Sequence, residues 1–227
     1  MTIRHIALMS TAALLVACSA ATDTAETMSK TADRTIADVK TSVAGDVEMR
    51  GADLSDLPTG TYKSEQGHAY VAFQYWHQGY SKPIIRWGTT DATVSFDAEN
   101  PENSTLTVIL PVDDIDTGVE AWDEHIKEEG FFDVANYPEI KFVSTDITQI
   151  KDGYGTLTGD LTIKDVTKPF TLTGTINKVG KHFRSGVDMF GVSAKGQLKR
   201  SDFGVDKYAP SADDIEIMIE VEFQKVE

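Results

Sequence analysis

The chain has 227 residues and a formal net charge of −15 at neutral pH, with 41% of its residues hydrophobic and 25% charged. So acidic a chain repels phosphate backbones, and the composition therefore excludes nucleic-acid binding as a function. The single cysteine excludes an intrachain disulfide, so a folded domain must depend on its hydrophobic core for stability.

The first segment of the chain is typical of an export signal. Arg4 precedes an apolar stretch over 6–17, which is too short to cross a bilayer and ends in small residues before Cys18. The Leu-Val-Ala-Cys motif that ends at Cys18 resembles a lipobox, and the alternative is an ordinary signal peptide with a chance cysteine. We predict a lipoprotein signal peptide over 1–17 and acylation of Cys18, which would anchor the chain to a membrane.

The residue after the anchor and the linker that follows suggest where the protein sits. Ser19 rather than Asp follows Cys18, so we expect a bacterial envelope protein at the outer membrane, facing the periplasm. Residues 18–58 contain no aromatic side chain, and small apolar residues recur at helical steps from Ala25 to Val43. The linker is therefore either a weakly amphipathic helix or a disordered tether, and a single domain over 59–227 follows it.

From Thr61 onward the sequence pattern is typical of a β protein. Short segments rich in β-branched and aromatic residues are separated by Gly, Asp, Asn and Pro, and they predict strands near 60–64, 68–78, 83–87, 91–97, 104–111, 139–149, 154–163, 169–177, 187–199 and 214–225. Several alternate cleanly, as in Ile215, Ile217 and Ile219. An antiparallel sheet with one solvent-exposed face has no unpaired edge strands when it closes into a barrel. We therefore predict an all-β protein with an eight-stranded lipocalin-like barrel.

One segment interrupts the strand pattern. Val119, Trp122 and Ile126 recur at helical spacing. Thr117 is the expected N-cap of this helix, and Gly130 is its expected end. We predict one short helix, lying across an end of the barrel.

A set of ordered motifs runs through the domain. They are the histidines His68 and His77, the run 123–142 with Phe131-Phe132 and Tyr137-Pro138, the run 159–169, and Arg200-Ser-Asp-Phe-Gly204. These motifs resemble those of the YceI-like family of bacterial envelope proteins. The resemblance covers about 59–227 and implies a lipocalin-like barrel that holds a long isoprenoid or another amphiphilic lipid inside. It is also compatible with a homodimer.

Aromatic side chains are the candidates for contact with such a lipid. On the strand 68–78, the alternating set that contains Val71, Phe73 and Tyr75 is the more apolar one, and we predict that it faces the interior. The predicted lipid-binding residues are Phe73, Tyr75, Trp87, Phe96, Trp122, Phe131, Phe132, Phe142 and Arg200. Plain core packing is the alternative for the Phe pair. For Arg200 the alternatives are closing the barrel by bonding the chain termini and binding a polar head group.

The polar residues of the family motifs are His68, His77, Asp123 and His125. His68 and His77 are nine residues apart, so an unbroken strand places them on opposite faces and makes them a poor metal pair. A histidine beside a carboxylate, as at Asp123 and His125, suits acid–base chemistry or zinc. No His-x-x-x-His or paired-cysteine spacing accompanies it, however, so we predict a protein that is not an enzyme and needs no metal or cofactor.

These expectations combine into one main hypothesis. The protein is an envelope lipoprotein that sequesters or transports a long isoprenoid, quinone-like or fatty amphiphile inside its barrel. Two alternatives come from other classes. One is a non-catalytic stress-response or interaction domain with a solid barrel and an acidic partner surface. The other is a hydrolase or metal enzyme that uses His125, His68 and nearby carboxylates.

Overall fold

The computed structural model describes residue 52, residues 54–151 and residues 154–226. The predicted signal peptide, Cys18 and most of the predicted linker lie outside these residues. In chain order the described strands and α-helix are β1 (Gly60–Gln74), β2 (Ile84–Trp87), β3 (Asp91–Phe96), β4 (Thr105–Pro111), β5 (Ile115–Asp116), α1 (Glu120–Lys127), β6 (Glu139–Lys151), β7 (Tyr154–Ile163), β8 (Val166–Lys181), β9 (Asp188–Lys199) and β10 (Asp214–Lys225). Short 3-10 helices span Leu54–Asp56, Pro101–Asn103, Val112–Asp114 and Arg200–Phe203.

Eight of these strands form a closed antiparallel barrel. Their order is β1-β3-β4-β6-β7-β8-β9-β10, and β10 pairs back with β1 through nine residue pairs from Tyr62–Lys225 to Gln74–Glu216. Closure leaves no long unpaired edge on the sheet, which is how antiparallel sheets avoid edge-to-edge association. The predicted eight-stranded barrel with one short helix is confirmed.

Strand β1 changes its partner along its length. Its first residues pair with β3, from Gly60 to Lys63, and its last residues pair with the short β2, which in turn pairs with β5. A bulge separates the two halves, because Ser64 lies opposite Phe223 while Ala69 lies opposite Val221. The strands β2 and β5 therefore extend the barrel wall at one end only.

The connections between strands define two ends of the barrel. The mouth end carries the β1–β2 loop at 75–83, the segment 112–138 with α1, and the β9–β10 loop at 200–213. The closed end carries the β3–β4 loop and the β8–β9 hairpin at 182–187. Helix α1 lies at the mouth end, as predicted. No helix in the described residues has the length and apolar character needed to cross a bilayer.

The predicted cap of α1 is wrong. The N-cap residue is Val119, and it makes no side-chain capping bond. Gly118 has a φ of 79°, so the chain turns there and leaves Thr117 outside the first helical turn. Asp123 instead reaches back from the helix, and its Oδ1 accepts hydrogen bonds from the backbone N of Thr117 at 2.7 Å and from its hydroxyl at 2.6 Å. The turn before the helix is fixed by this reverse contact.

The closed end of the barrel is filled by a cluster of buried residues. Tyr62 is fully buried there, its ring packs edge-on against Phe190 with centroids 5.4 Å apart, and its hydroxyl donates to the Pro58 carbonyl at 2.6 Å. Leu57 belongs to the same cluster and is 1% exposed. The end of the segment assigned to the linker thus packs into the barrel, although its composition predicts little core.

Candidate functional site

A cavity of about 780 Å³ enters the barrel from the mouth end. Its wall consists of inward-facing strand residues, most of them aliphatic: Val71, Phe73, Trp87, Val108, Leu110, Ile140, Phe142, Leu161, Ile163, Phe170, Leu172, Leu198, Ile215, Ile217 and Ile219. Strand alternation explains this wall, because every second side chain of a barrel strand points inward. On β1, Ala69, Val71 and Phe73 are buried while Tyr70, between the first two, is exposed, as predicted.

Two aromatic rings of the cavity wall occupy space that is left open by glycines in neighbouring strands. Phe142 and Phe170 meet edge to face with centroids 6.5 Å apart. A Cβ on Gly159 would lie 2.5 Å from Cζ of Phe142, and a Cβ on Gly196 would collide with Cζ of Phe170. Below these rings, the cluster around Tyr62 closes the barrel. The cavity is therefore a blind pocket.

Helix α1 and the segment after it form one side of the mouth. Trp122 packs against His125, with ring centroids 5.1 Å apart, and edge-on against Phe131 at 5.6 Å. Phe131 and its neighbour Phe132 are both buried and both line the cavity. Tyr208, from the β9–β10 loop, meets Phe131 at 5.9 Å. Aromatic rings from two separate segments thus narrow the entrance.

Arg200 holds the β9–β10 loop over the other side of the mouth. Its Nε donates to the Ala212 carbonyl at 2.7 Å, its Nη1 to Val205 at 2.6 Å and its Nη2 to Ser211 at 2.9 Å. This arrangement favours the barrel-closing role. The acceptors, however, belong to the residue's own loop, so none of these three bonds reaches a chain terminus.

Arg200 also borders the cavity beside Tyr75. Burial lowers the pKa of the Arg200 guanidinium, and the Asp213 carboxylate opposes this shift. Burial raises the pKa of the Tyr75 hydroxyl, against the effects of the Arg200 charge and of the Trp122 side chain. The described carbonyls take three of the five N–H donors of the guanidinium. The inner mouth therefore offers a cation, a phenol and an indole beside the largely apolar wall of the cavity.

Eight of the nine predicted lipid-binding residues line the cavity: Phe73, Tyr75, Trp87, Trp122, Phe131, Phe132, Phe142 and Arg200. Phe96 does not. It ends β3 opposite Gly60, at the closed end, and its ring packs against Tyr62 with centroids 6.4 Å apart. Its aromatic character suggested a ligand contact, but its height in the barrel makes it part of the solid cluster.

Trp87 lines the cavity, but its polar atom is buried. Its ring packs against Phe73 with centroids 5.5 Å apart. Its Nε1 is inaccessible, and among the described residues it has no hydrogen-bond partner. Trp87 therefore presents apolar ring atoms to the cavity, and its N–H does not reach the space where a ligand would lie.

The polar motif residues are not brought together. His68 lies in the β1 bulge on the outside of the barrel, with its Nδ1 2.5 Å from Oε2 of Glu65. That contact raises the pKa of His68 and lowers that of Glu65. His77 lies beyond the end of β1 and borders the cavity. The sequence predicts a strand over 68–78 that carries both histidines, but β1 ends at Gln74, before His77.

The other two polar motif residues, Asp123 and His125, lie on helix α1. His125 borders the cavity, with its Nδ1 3.1 Å from Oε2 of Glu128, while Asp123 is occupied by its contact with Thr117. Within the described residues, no three His, Cys, Asp or Glu side chains are placed to share a metal ion. Cys18 lies outside the described residues.

Several cavity residues are not among those predicted from the sequence. They are the aliphatic wall of β4, β7 and β10, and mouth residues such as Gln78, Ser81 and Tyr208. The alternation of Ile215, Ile217 and Ile219 contains the signal for the wall, because residues of one parity share a face. No local pattern marks the mouth residues, since their place depends on how the loops meet.

The chain is similar in sequence to known proteins. A family model described as the YceI-like domain matches residues 62–223. A UPF0312 protein of Pseudomonas savastanoi pv. phaseolicola is 37% identical over 158 residues, which cover 70% of this chain and 82% of that protein. A UPF0312 protein of Yersinia pestis is 31% identical over 163 residues, with the same coverage of both chains.

Solved structures show the same fold. BcnA of Burkholderia cenocepacia has a TM-score of 0.61 at 22% identity, covering 68% of this chain and 95% of its own. The YceI protein of Campylobacter jejuni has a TM-score of 0.58 at 31% identity, covering 65% and 87%. A domain from Saccharophagus degradans that is described as polyisoprenoid-binding has a TM-score of 0.54 at 8% identity, covering 74% and 99%. Because the family model spans most of the chain and the barrel agrees with it, this chain belongs to the YceI-like domain family.

Proposed function

We propose that this protein binds the apolar chain of a long isoprenoid, a quinone-like lipid or a fatty amphiphile inside its barrel. The observation that carries the proposal is the blind cavity of about 780 Å³ with its nearly continuous aliphatic and aromatic wall. Ligand pockets of proteins commonly have volumes of roughly 300–1,000 Å³. A slender apolar chain matches both the depth and the lining of this pocket.

Burial of methylene groups is sufficient to drive the binding of an apolar chain. Each buried methylene contributes about 0.8 kcal/mol, so about ten of them contribute roughly 8 kcal/mol. That gain is comparable with the estimated association cost of 4 kcal/mol or more. A chain that reaches from the mouth to Phe142 and Phe170 buries its methylenes without a single specific bond. No covalent step is needed, so we propose a non-catalytic role.

The polar head of the ligand would remain at the mouth. Arg200 and Tyr75 border the cavity there, and Arg200 keeps N–H donors beyond the three that bond its own loop. A guanidinium suits phosphate, carboxylate or carbonyl oxygens. The description of the Saccharophagus degradans domain as polyisoprenoid-binding agrees with the chain class, although at 8% identity that likeness concerns the fold alone.

Extraction of the purified protein tests this proposal. The full chain carrying Cys18→Ser, which lacks the acylation site, would be expressed in a bacterium and examined by native mass spectrometry and organic extraction. We expect one long-chain lipid for each protein molecule. We also expect an added radiolabelled polyprenol to bind with comparable stoichiometry.

Two variants and one control make the test specific. Phe73→Asp places a charge in the cavity wall and should lower lipid occupancy at least tenfold, because a carboxylate there opposes burial of an apolar chain. Ile217→Trp fills the cavity without adding a charge, so it keeps the test valid if Phe73→Asp folds poorly. Tyr70→Asp changes an exposed residue on the outer face of the same strand. Equal lipid occupancy in all four proteins would refute the cavity assignment.

We also propose that the protein is a lipoprotein of the bacterial envelope that faces the periplasm and serves lipid sequestration or transport there. The support is the sequence before and at Cys18. Growth with labelled palmitate should label the wild-type chain in the membrane fraction. The Cys18→Ser chain should carry no label, whereas a labelled Cys18→Ser chain would contradict acylation at this residue.

The cavity disfavours the alternative of an interaction domain with a solid barrel, because the upper half of the barrel is not filled by side chains. The hypothesis of a hydrolase has no arrangement to support it in the described residues, since His68 lies outside the barrel and His125 lies at its mouth.

A further inference from the structure

Large apolar side chains are exposed around the mouth of the cavity. They are Tyr80 at 86% exposure, Tyr208 at 64%, Ile84 at 61%, Val119 at 59% and Trp76 at 56%. We call these five residues the mouth patch. Its members come from three segments, the β1–β2 loop with the start of β2, the turn before α1 and the β9–β10 loop, and all three segments also line the cavity.

The β1–β2 loop is built to hold its aromatic residues outward. The backbone N of His77 donates to Ser81 at 2.8 Å, and the N of Tyr80 donates to His77 at 2.9 Å. Gln78 and Gly79 have positive φ values of 52° and 79°, and they are the two central residues of the tight turn. His77 and Ser81 line the cavity, while Tyr80, the last residue of the turn, is exposed to solvent.

The base of this loop is fixed to the barrel. Nζ of Lys82 donates to Glu216 at 2.6 Å and lies 5.2 Å from the ring centre of Trp76. Gln74 donates to the same carboxylate at 2.6 Å. Across the mouth, Nζ of Lys207 lies 5.6 Å from the ring of Tyr208. A lysine ammonium thus lies over each of these two rings, and neither ring is folded into the core.

The composition of the mouth patch identifies what it fits. Trp and Tyr combine an apolar ring with a polar atom, and this is why they concentrate where a membrane meets water. Lysine stems can lie along apolar surface while their charges remain in water. Val119 and Tyr208 belong both to the patch and to the cavity lining, so the patch adjoins the entrance through which an apolar ligand would pass.

Charge decides between kinds of membrane surface. The whole chain has a net charge of −15, the exposed Glu120 follows Val119 directly, and the exposed Asp206 lies two residues before Tyr208. Anionic lipid head groups repel such a surface, and salt weakens that repulsion. The fitting partner is therefore a bilayer of zwitterionic phospholipid.

We propose that the mouth patch docks onto the surface of a zwitterionic phospholipid bilayer and sets the cavity entrance against the lipid. Tyr80 and Trp76 would enter the interface, with Ile84, Val119 and Tyr208 around them. This inference rests on the proposed function, because docking would let an apolar chain pass between bilayer and barrel without crossing water. The docking itself is measured without any ligand.

Reporters at single cysteines test the orientation directly. The chain has one cysteine, so Cys18→Ser removes both the acylation site and any competing thiol. Onto this background Tyr80→Cys or Phe183→Cys would be added and labelled with nitrobenzoxadiazole. The two positions are matched, because Tyr80 is 86% exposed at the mouth end and Phe183 is 83% exposed at the closed end. Each labelled protein would be mixed with phosphatidylcholine vesicles.

We expect a blue shift and a gain in emission from the reporter at Tyr80→Cys alone. Adding Trp76→Ser and Ile84→Ser to that protein should weaken vesicle partitioning by roughly tenfold for each apolar side chain removed. Replacing part of the phosphatidylcholine with phosphatidylglycerol should weaken it further at low salt. Equal responses of the two reporters, a response at Phe183→Cys only, or none at either site would overturn the proposal.

Polyprenol binding by the same labelled proteins, measured without vesicles, separates the two proposals. Polyprenol binding without a response at Tyr80→Cys would reject docking and leave the proposed function standing. A response at Tyr80→Cys without polyprenol binding would support docking and reject the proposed function.

Discussion

The ring of Phe170 on β8 occupies the space beside the backbone of Gly196 on β9. A Cβ on residue 196 would collide with Cζ of that ring and would lie 2.9 Å from Cδ2 of Leu172. Both atoms are the ends of side chains that border the cavity. The missing side chain of Gly196 therefore helps to set the shape of the space that we assign to the ligand.

Gly196→Ala should reduce the ligand capacity more than the stability. The added methyl can push Phe170 and Leu172 into the cavity, so the strain is relieved at the expense of cavity volume. We expect several-fold weaker binding of a polyprenol and a free energy of unfolding within about 1 kcal/mol of wild type. Polyprenol titration and urea unfolding measure the two effects, and unchanged binding would contradict this role of the glycine.

Gly159→Ala should reduce the stability more than the ligand capacity. A Cβ on Gly159 would collide with the carbonyl oxygen of Val143 on the paired strand β6, and backbone in a sheet cannot move aside as a side chain does. We expect the free energy of unfolding to fall by about 1–3 kcal/mol. Gly191→Ala is the matched control, because its nearest neighbour would be Cβ of Asn177 at 3.9 Å. Similar losses in both variants would show that the collision at Gly159 is not the cause.

Tyr62 should make the closed end sensitive to alkaline pH. Burial, with a smaller effect from the Asp188 charge, raises the pKa of Tyr62 from 10.0 to about 12. The folded state thus holds the phenolic proton more tightly than the unfolded state does. The resulting stability is complete below pH 10 and is lost as the pH rises from 10 through 12, by at most about 3 kcal/mol.

The variant Tyr62→Phe isolates this effect. It loses the hydrogen bond to Pro58, which should lower the free energy of unfolding by about 1 kcal/mol at pH 8. The difference between wild type and Tyr62→Phe should then shrink and change sign between pH 10 and pH 12, because only wild type loses the contribution of this proton and that loss exceeds about 1 kcal/mol. Urea unfolding at a series of pH values measures the difference, and a constant difference would contradict the buried phenol.

Arg200→Lys should separate the two roles considered for Arg200. Lysine keeps the charge but cannot reach the carbonyls of Val205, Ser211 and Ala212 together, so the free energy of unfolding should fall by about 2 kcal/mol. Arg184→Lys in the exposed hairpin should change it by less than about 0.5 kcal/mol. Unchanged stability combined with weaker lipid binding would instead assign Arg200 to the head group.

The sequence predicted the barrel because its main signals are local. Alternation along β1 and β10 identifies which side chains face inward, and this is a property of consecutive residues. The same parity put Val71, Phe73 and Tyr75 on the inner face, as the structure has them. The helix was equally clear from Val119, Trp122 and Ile126, while its cap was not, because a turn at Gly118 displaced Thr117.

The height of a residue along the barrel axis could not be predicted. Phe96 and Phe142 have the same character and both face inward, yet one joins the solid cluster and the other borders the cavity. Their heights depend on the register between strands that are distant in the sequence. The same reason hides the mouth patch, since Tyr80, Val119 and Tyr208 come together only after three loops meet at one end.

By itself, the sequence determined the strands, the closed antiparallel sheet, the inward side of each strand and the family. Each of these depends on periodicity or on motifs whose residues lie close together along the chain. Only the tertiary structure decided that the barrel is solid around Tyr62 and hollow toward the mouth, and that Arg200 bonds its own loop. The register of eight strands and the meeting of the loops set these features, because they bring together side chains that no local pattern relates.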